Sequence, residues 1–595
     1  MKTQKIFPIK VLSEEEAWNL FKEMAGNCVD TPGLHPIAKE VAKECGGLPV
    51  AIVTVGRALE NKSEFEWSAA LQQLRKAIAK NITGLDSKVY SSIELSYSYL
   101  RSDEAKSCFL LCCLFPEDHD ILIEILVRYG AGQRLFARID TVAEARNRVH
   151  AIVSNLKRLF LLLDSEDGEM FVKMHDVVRD VAISIAENQG FLVRCNEKKE
   201  EWLEKDLCER STAILLVSTE LKRHPDGLEC PKLELLQLAS EINYWYGDPL
   251  LHPLPPNLFI GMKGLKVLSL FGMSFPSLPQ PINVLQNLRT LQFFKCEITD
   301  ASAIGELRKL EILSFFGSKI QELPGEMRNL SYLKFLELTE CNDLERIPPN
   351  LLSSLSHLEE LCMLGGNRVD WEPMEGNKEE EEANASLTEL MSLSYLEVLK
   401  IQIPNIKVLP KDLTFKNETM KFQIFLCDGD DNFEEYYHYL FKNSLGLASC
   451  DVSDITKSQM LLPLLKESEN LMLEDIEGLK NIVYELDKEG FQCLKVLEVC
   501  NSGDVEYVMD ATSDQNPPAF PTLESLELVN LRNLKEIYHS QFLERSFSSV
   551  CFGNLKSLQL RILPGLIGFC TGVGPVELVQ PSLNQQVCMI LFLSL

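Results

Sequence analysis

The sequence predicts a multidomain chain of α plus α/β class, helical over its first third and built of stacked parallel strands beyond it. The main observation is an apolar spacing, L-x-x-L-x-L, that keeps returning. It occurs at Leu233/Leu236/Leu238, Leu265/Leu268/Leu270, Leu288/Leu291/Phe293, Leu310/Leu313/Phe315 and Leu333/Leu336/Leu338. After a break it returns at Leu396/Leu399/Ile401, Leu494/Leu497/Val499, Leu523/Leu526/Leu528 and Leu555/Leu558/Leu560. The last two apolar residues of each set alternate with another residue, which places them on the buried face of a short strand. A repeat of roughly 20 to 29 residues with this pattern is a leucine-rich-repeat solenoid, whose units bury their apolar faces only by stacking. The second observation is length: 595 residues exceed what one core holds.

The helical part opens at Ser13, an N-cap followed by Glu14, Glu15 and Glu16 where the helix dipole favours acids. Ala17, Leu20, Phe21 and Met24 line one face. A second helix runs from Pro36 through Ile37, Val41 and Ala42 to the stop at Gly46-Gly47, and a third begins after Pro49. Leu95–Leu100, Ala105–Leu114, Ile121–Tyr129 and Val149–Leu163 are further helical segments. Ser165–Glu169 is a turn between the apolar runs Leu161–Leu163 and Met170–Met174, which predicts a β-hairpin. Asp176 is then expected to cap a helix carrying Val177, Val178, Val181, Ala182 and Ile185. Three helices and a hairpin make a winged-helix outline. The repeats are interrupted at residues 365–386, a loop holding the acidic run Glu379–Glu382, expected to be disordered or functional.

Composition narrows the functions. The net charge is -28, of which residues 1–200 carry only -3 and the repeats nearly all the remainder. Such a field repels phosphate backbones, so nucleic acid is excluded as a partner of the solenoid, and a basic surface suits it better. The helix from Asp176 sets Asp180 beside Arg179 and shows no basic recognition face. No stretch has the length of a membrane span, and the start lacks a secretory apolar core. The 18 cysteines include no C-x-x-C pair, and Cys108, Cys112 and Cys113 have no histidine nearby, so neither zinc nor disulfides are expected. A reduced, cytoplasmic compartment follows. Cys296 and Cys341 stand after their strands, where a side chain can meet turn backbone. Ligand contacts of the solenoid are expected at Ser269, Gln292, Ser314 and Glu337, the strand positions between the core residues.

Four ordered motifs resemble the coiled-coil class of plant NB-LRR (NLR) disease-resistance proteins. They are CGGLPVAI (Cys45–Ile52), SYSYL (Ser96–Leu100), CFLLCCLFPED (Cys108–Asp118) and VKMHDVVRDVA (Val172–Ala182), preceded by VLSEEEAWNLF (Val11–Phe21) and followed by the repeats. The resemblance implies a helical part of the nucleotide-binding switch (the C-terminal part of NB-ARC) over 1–85, and a winged-helix domain with its MHD motif over 86–190. A junction would follow over 191–230, leucine-rich repeats over 231–570, and a tail over 571–595. It also implies ADP or ATP as cofactor, with Gly47, Leu48 and Pro49 at the nucleotide, Pro49 against its base and His175 at the β-phosphate. Taken alone, Gly46-Gly47-Leu48-Pro49 reads as a helix stop followed by a helix-opening proline, and His175 as a strand-end residue. Val50 stands where the family prefers Leu.

No phosphate-binding string G-x-x-x-x-G-K-[ST] occurs in the sequence. The chain is therefore expected to be truncated at its N-terminus, to be no enzyme, and to bind nucleotide weakly. The function implied is an intracellular immune receptor for a pathogen effector or a guarded host protein, its repeats contacting its own switch. Arg128, Arg134 and Arg138 are the candidates for an electrostatic contact with the acidic repeats. Two rivals are a leucine-rich-repeat adaptor without nucleotide switching and a nucleotide hydrolase.

Overall fold

The computed structural model describes residues 11–76, 87–195, 205–217, 229–239, 252–253, 257–278, 280–366, 368–372, 383–410, 420–427, 443–511, 519–540, 552–570 and 588–592. The chain forms two compact units, residues 1–273 with 279–291, and residues 274–278 with 292–595.

The first unit begins with helices α1 (Glu14–Ala25), α2 (His35–Glu44), α3 (Pro49–Leu59), α4 (Glu64–Lys76) and α5 (Ser87–Ser98). Ser13 and Glu16 complete a capping box at the start of α1, each satisfying the other's backbone amide. The core joins Phe21, Val41, Ile52, Val55, Leu59, Trp67 and Leu95. Phe21 and Trp67 meet edge to face at 5.9 Å, an arrangement that adds to their area burial. Gly56 lets α1 and α3 close up, since a Cβ there would lie 2.8 Å from the Met24 Cβ.

Helices α6 (Asp103–Cys112), α7 (Ile123–Gln133), α8 (Val142–Arg158) and α9 (Asp176–Glu187) follow. A small antiparallel sheet accompanies them in the order Ile121–Leu122, Phe171–Lys173, Leu163–Asp164. The expected hairpin is thus present, with Leu163 opposite Lys173. The helix expected from Val149 starts a full two turns earlier, at a Thr141/Glu144 capping box. Glu124 of α7 takes Arg146 of α8 in a two-pronged pair, 2.6 Å at Nε and 3.0 Å at Nη2, with both side chains buried. Cys108, Cys112 and Cys113 are packed in the core, and burial pushes the thiols of Cys108 and Cys113 up to about 12. Among the described residues no group of His, Cys, Asp and Glu could hold a metal, and no helix is long and apolar enough to cross a membrane.

The parallel sheet of this unit corrects one boundary. Phe191–Cys195 and Ala213–Val217, in the segment expected as a junction, are parallel strands in register with Leu235–Ala239 and Val267–Phe271. AILLV at 213–217 is buried at every position, so it lacks the alternation that marks the other repeats.

The second unit is a run of parallel strands from Ile312–Ser314 to Cys588–Phe592, each paired with the next repeat. Its expected leucines are buried from Leu310 to Leu528, with Leu313, Leu336, Leu338 and Leu399 inaccessible, while Leu555, Leu558 and Leu560 are half-buried. Phe293 and Phe315 stack at 5.3 Å in adjacent repeats. Glu360–Met363 pairs directly with Val398–Ile403, so the acidic insertion leaves the sheet uninterrupted. Of residues 365–386, 367 and 373–382 lie outside the described residues. Strands Lys421–Leu426, Ser444–Asp451 and Asn470–Glu477 fill the break in the sequence pattern. Each keeps the alternating pair, as in Leu471 and Leu473, but lacks the leading leucine. Of the tail 571–595 only residues 588–592 are described, as a strand beside Ser557–Arg561.

Cys341 donates to the Phe315 carbonyl at 3.1 Å, and the Cys296 thiol meets the Phe294 carbonyl at 3.5 Å. The strand positions expected to be exposed are a correction. Gln292, Ser314 and Glu337 are buried and Ser269 is half-buried. Ser314 donates to the Glu337 carboxylate, its partner in register on the next strand. Alternation in a strand says which face a side chain takes, but not what covers that face.

Candidate functional site

Gly46 and Gly47 hold φ of +66° and +71°, the left-handed values that end α2 and that glycine adopts without strain. Gly47 also serves a close approach. Its carbonyl accepts from the Leu12 amide at 2.9 Å, and a Cβ on it would lie 2.6 Å from the Leu12 carbonyl oxygen. Leu48 is the extended N-cap of α3, and Pro49 opens the helix with an exposed ring. A proline costs nothing there, because the first helical amide has no partner to lose.

His175 proves to be the N-cap of α9, the place expected for Asp176. Its Nδ1 accepts from the Val177 amide at 3.2 Å. That bond assigns the neutral ring its proton at Nε2 and leaves Nε2–H as the donor. The ring is exposed, while Met174 before it is buried. Asp176 sits in the first turn, where its carboxylate interacts favourably with the helix dipole.

Helix α5 relates these two places. Lys88, in its first turn, lies beside Gly46, where an added Cβ would be 3.0 Å from the Lys88 Cδ. Tyr90 meets Ser184 of α9 at 3.5 Å, and Gln189 just beyond α9 donates to Tyr97 at 3.1 Å. Helices α5 and α9 therefore run parallel, with the first turns of α5 beside the C-terminal half of α9. Helix N-termini present unpaired amides and a positive partial charge. Lys88 beside Gly46 and the His175 donor at the start of α9 each suit an anion. The His175 side chain stands about 13 Å of helix rise before Ser184. No hydrogen bond described joins it to Gly47, Leu48 or Pro49.

A second feature lies in the same unit. The end of α7 packs on the parallel strands. Tyr129 donates to Gln237 at 2.9 Å, both side chains being almost wholly buried. Burial pushes the Tyr129 phenol up, beyond its ordinary range. Thr290 donates to the Arg128 carbonyl at 3.0 Å. Gly132 makes the approach possible, since a Cβ there would stand 2.4 Å from Thr290 Oγ1 and 2.7 Å from Val267 Cγ2. Arg128 is buried, whereas Arg134 and Arg138 are exposed, both with φ of +59°. The contacts described here are the hydrogen bonds of Tyr129 and Thr290 and the close packing at Gly132. Sequence reading missed Tyr129, Gly132, Gln237 and Thr290. The signal was available: two glycines, Gly130 and Gly132, sit inside a helix, where each costs about 1 kcal/mol relative to alanine.

A model of the leucine-rich repeat region matches residues 260–562. The chain belongs to the leucine-rich-repeat family. This leucine-rich-repeat chain is related to plant disease-resistance proteins. One from Arabidopsis thaliana is 31% identical over 552 residues, which cover 90% of this chain and 54% of that protein. A probable disease-resistance protein of the same plant is 32% identical over 553 residues, covering 90% and 57%. The disease resistance protein RPS5, also of Arabidopsis thaliana, is 32% identical over 292 residues, covering 47% and 32%. The leucine-rich-repeat chain spans about half the length of the first two relatives.

Proposed function

We propose that the chain acts in plant disease resistance as a cytoplasmic receptor. Its repeats recognise a pathogen effector or a host protein that an effector alters, and its helical region switches with ADP and ATP. The observation that supports this most is the seat of α7 on the repeat strands, made by Tyr129, Gly132, Gln237 and Thr290. The same unit carries Gly47, Leu48, Pro49 and His175. A partner that binds the repeats better when α7 has left them would shift the helical region, because a ligand moves an equilibrium only through its different affinities for two states.

The residues present fit the sugar-base and phosphate ends of a nucleotide in kind. Pro49 offers an exposed apolar ring, and His175 offers a neutral imidazole donor at a helix N-terminus. Helices α6 to α9 with the three-stranded sheet are read as a winged-helix domain that carries His175. The bound nucleotide would supply negative charge to the N-terminal ends of α3 and α9. The chain itself is proposed to hydrolyse nothing, since its sequence holds no glycine-rich phosphate loop.

The experiment is calorimetric titration of ADP and ATP into the purified chain, with His175→Ala beside it. Weak binding lost in His175→Ala supports the reading. Submicromolar affinity that survives the substitution contradicts the roles given to the residues.

A further inference from the structure

The exposed surface of the second unit carries a row of aromatic rings that the nucleotide reading does not use. Tyr332, His357 and Tyr395 occupy the same place in successive turns of the solenoid, immediately before the buried leucines Leu333, Leu358 and Leu396. Their rings stack, with centroids 6.4 Å apart between Tyr332 and His357 and 5.6 Å apart between His357 and Tyr395. The two tyrosines are 60% and 59% exposed, among the most exposed large apolar side chains of the chain. Isolated apolar residues on a surface need no explanation, but a contiguous ring stack in register does. Tyrosine is also the residue type that anchors protein interfaces.

Charge says what would cover it. Residues 301–400 carry 9 Lys+Arg against 19 Asp+Glu. The residue two places after each ring position is charged. Glu311, Glu359 and Glu397 form a row there with one cation among them, Lys334, whose ammonium is already 3.2 Å from Glu359. Glu359 is buried, while Glu397, two residues after Tyr395, is half-exposed. In the repeat before Tyr332 the equivalent place holds Lys309, which makes the Tyr395 end the more acidic one. An aromatic face beside a carboxylate in a negative field suits a guanidinium, which stacks on the ring and pairs with the acid.

We propose that the Tyr332–His357–Tyr395 ladder, with Glu397, is a docking surface for an arginine-bearing segment of a partner protein. This names partner chemistry for the repeats and so rests on the receptor reading. Its test needs neither nucleotide nor a resistance assay, so its failure would leave that reading standing.

The test uses the full chain at low ionic strength and a fluorescein-labelled peptide of alternating arginine and glycine as probe. A saturable rise in anisotropy is expected. Tyr332→Ala with Tyr395→Ala should weaken binding about tenfold, the range of two exposed cation–π contacts. The matching pair of Tyr→Phe changes keeps the rings and should stay within about twofold of wild type. Glu489→Gln, an exposed acid of the same unit whose ion pair is with Lys466, should also leave affinity within about twofold, because a single rim charge contributes little. Equal affinity of the wild type and the double alanine variant would overturn the proposal by reducing the attraction to the general acidic field. So would absence of peptide binding. A dimer in sedimentation that disappears with the rings would overturn it too, by making a second copy the occupant.

Discussion

Replacing Gly132 by alanine gives a test whose sign decides. In a helix that touches nothing, Gly→Ala is stabilising by about 0.5–1 kcal/mol, because glycine loses more backbone freedom on folding. At Gly132 the new methyl would stand 2.4 Å from Thr290 Oγ1 and 2.7 Å from Val267 Cγ2. Both are short branches on strand positions whose backbone is held in the sheet, so neither can swing away as a long side chain would. Inserting a methyl into such a contact costs about 1–3 kcal/mol. It also threatens the Thr290 bond to the Arg128 carbonyl, whose loss adds about 1 kcal/mol. The balance is destabilisation of about 1–3 kcal/mol in urea unfolding, against a gain for the same change in a free helix. Thr290→Ala removes the nearest atom, so the double variant should be less destabilised than the sum of the single ones by about 1 kcal/mol. A Gly132→Ala chain more stable than wild type, or strictly additive changes, would refute the seating of α7 on these strands.

Three other outcomes follow from the same geometry. Glu124→Gln should destabilise by about 3 kcal/mol in thermal unfolding, since it leaves Arg146 charged and buried, whereas replacing both partners by leucine should cost much less. His175→Ala should cost about 1 kcal/mol in urea unfolding through the lost cap of α9, with His175→Asn restoring most of it; equal stability of all three chains would remove His175 from the cap. His119 is held down to about 4 by burial and stacks on Phe115, so its unfolded form takes protons more readily than its folded form. Stability should therefore be full above about pH 6.5 and fall by up to about 3 kcal/mol as the pH drops toward 4, a slope that His119→Phe should flatten in acid titrations followed by circular dichroism.

The repeats were legible because a buried strand face prints a period of two and a leading leucine into the sequence. Where one of these signals fails, reading fails with it. Ala213–Val217 was missed because strands buried on both faces do not alternate. Ser444–Asp451 was missed because its leading leucine is absent. Capping chemistry is local, so Ser13 and Glu16 announced α1 correctly. The cap of α9 shifted by one residue, because histidine satisfies the amide expected to be taken by Asp176. Gly47, Leu48, Pro49 and His175 could be placed on their elements from sequence. That α5 packs along α9 depends on Tyr90–Ser184 and Tyr97–Gln189, pairs separated by over 90 positions. The seat of α7 was hidden for the same reason: Tyr129 and Gln237 are 108 residues apart. No periodicity reports such a pair.

The central claim is that the helical region is held by the first repeat strands through α7. Hydrogen–deuterium exchange on the full chain tests it directly, comparing wild type with Gly132→Leu. The bulky side chain cannot be housed against Thr290 and Val267. The account predicts faster exchange together in residues 123–133, 235–239 and 267–291, with α1 to α4 unchanged. Faster exchange confined to 123–133, with the strands as protected as in wild type, would contradict it.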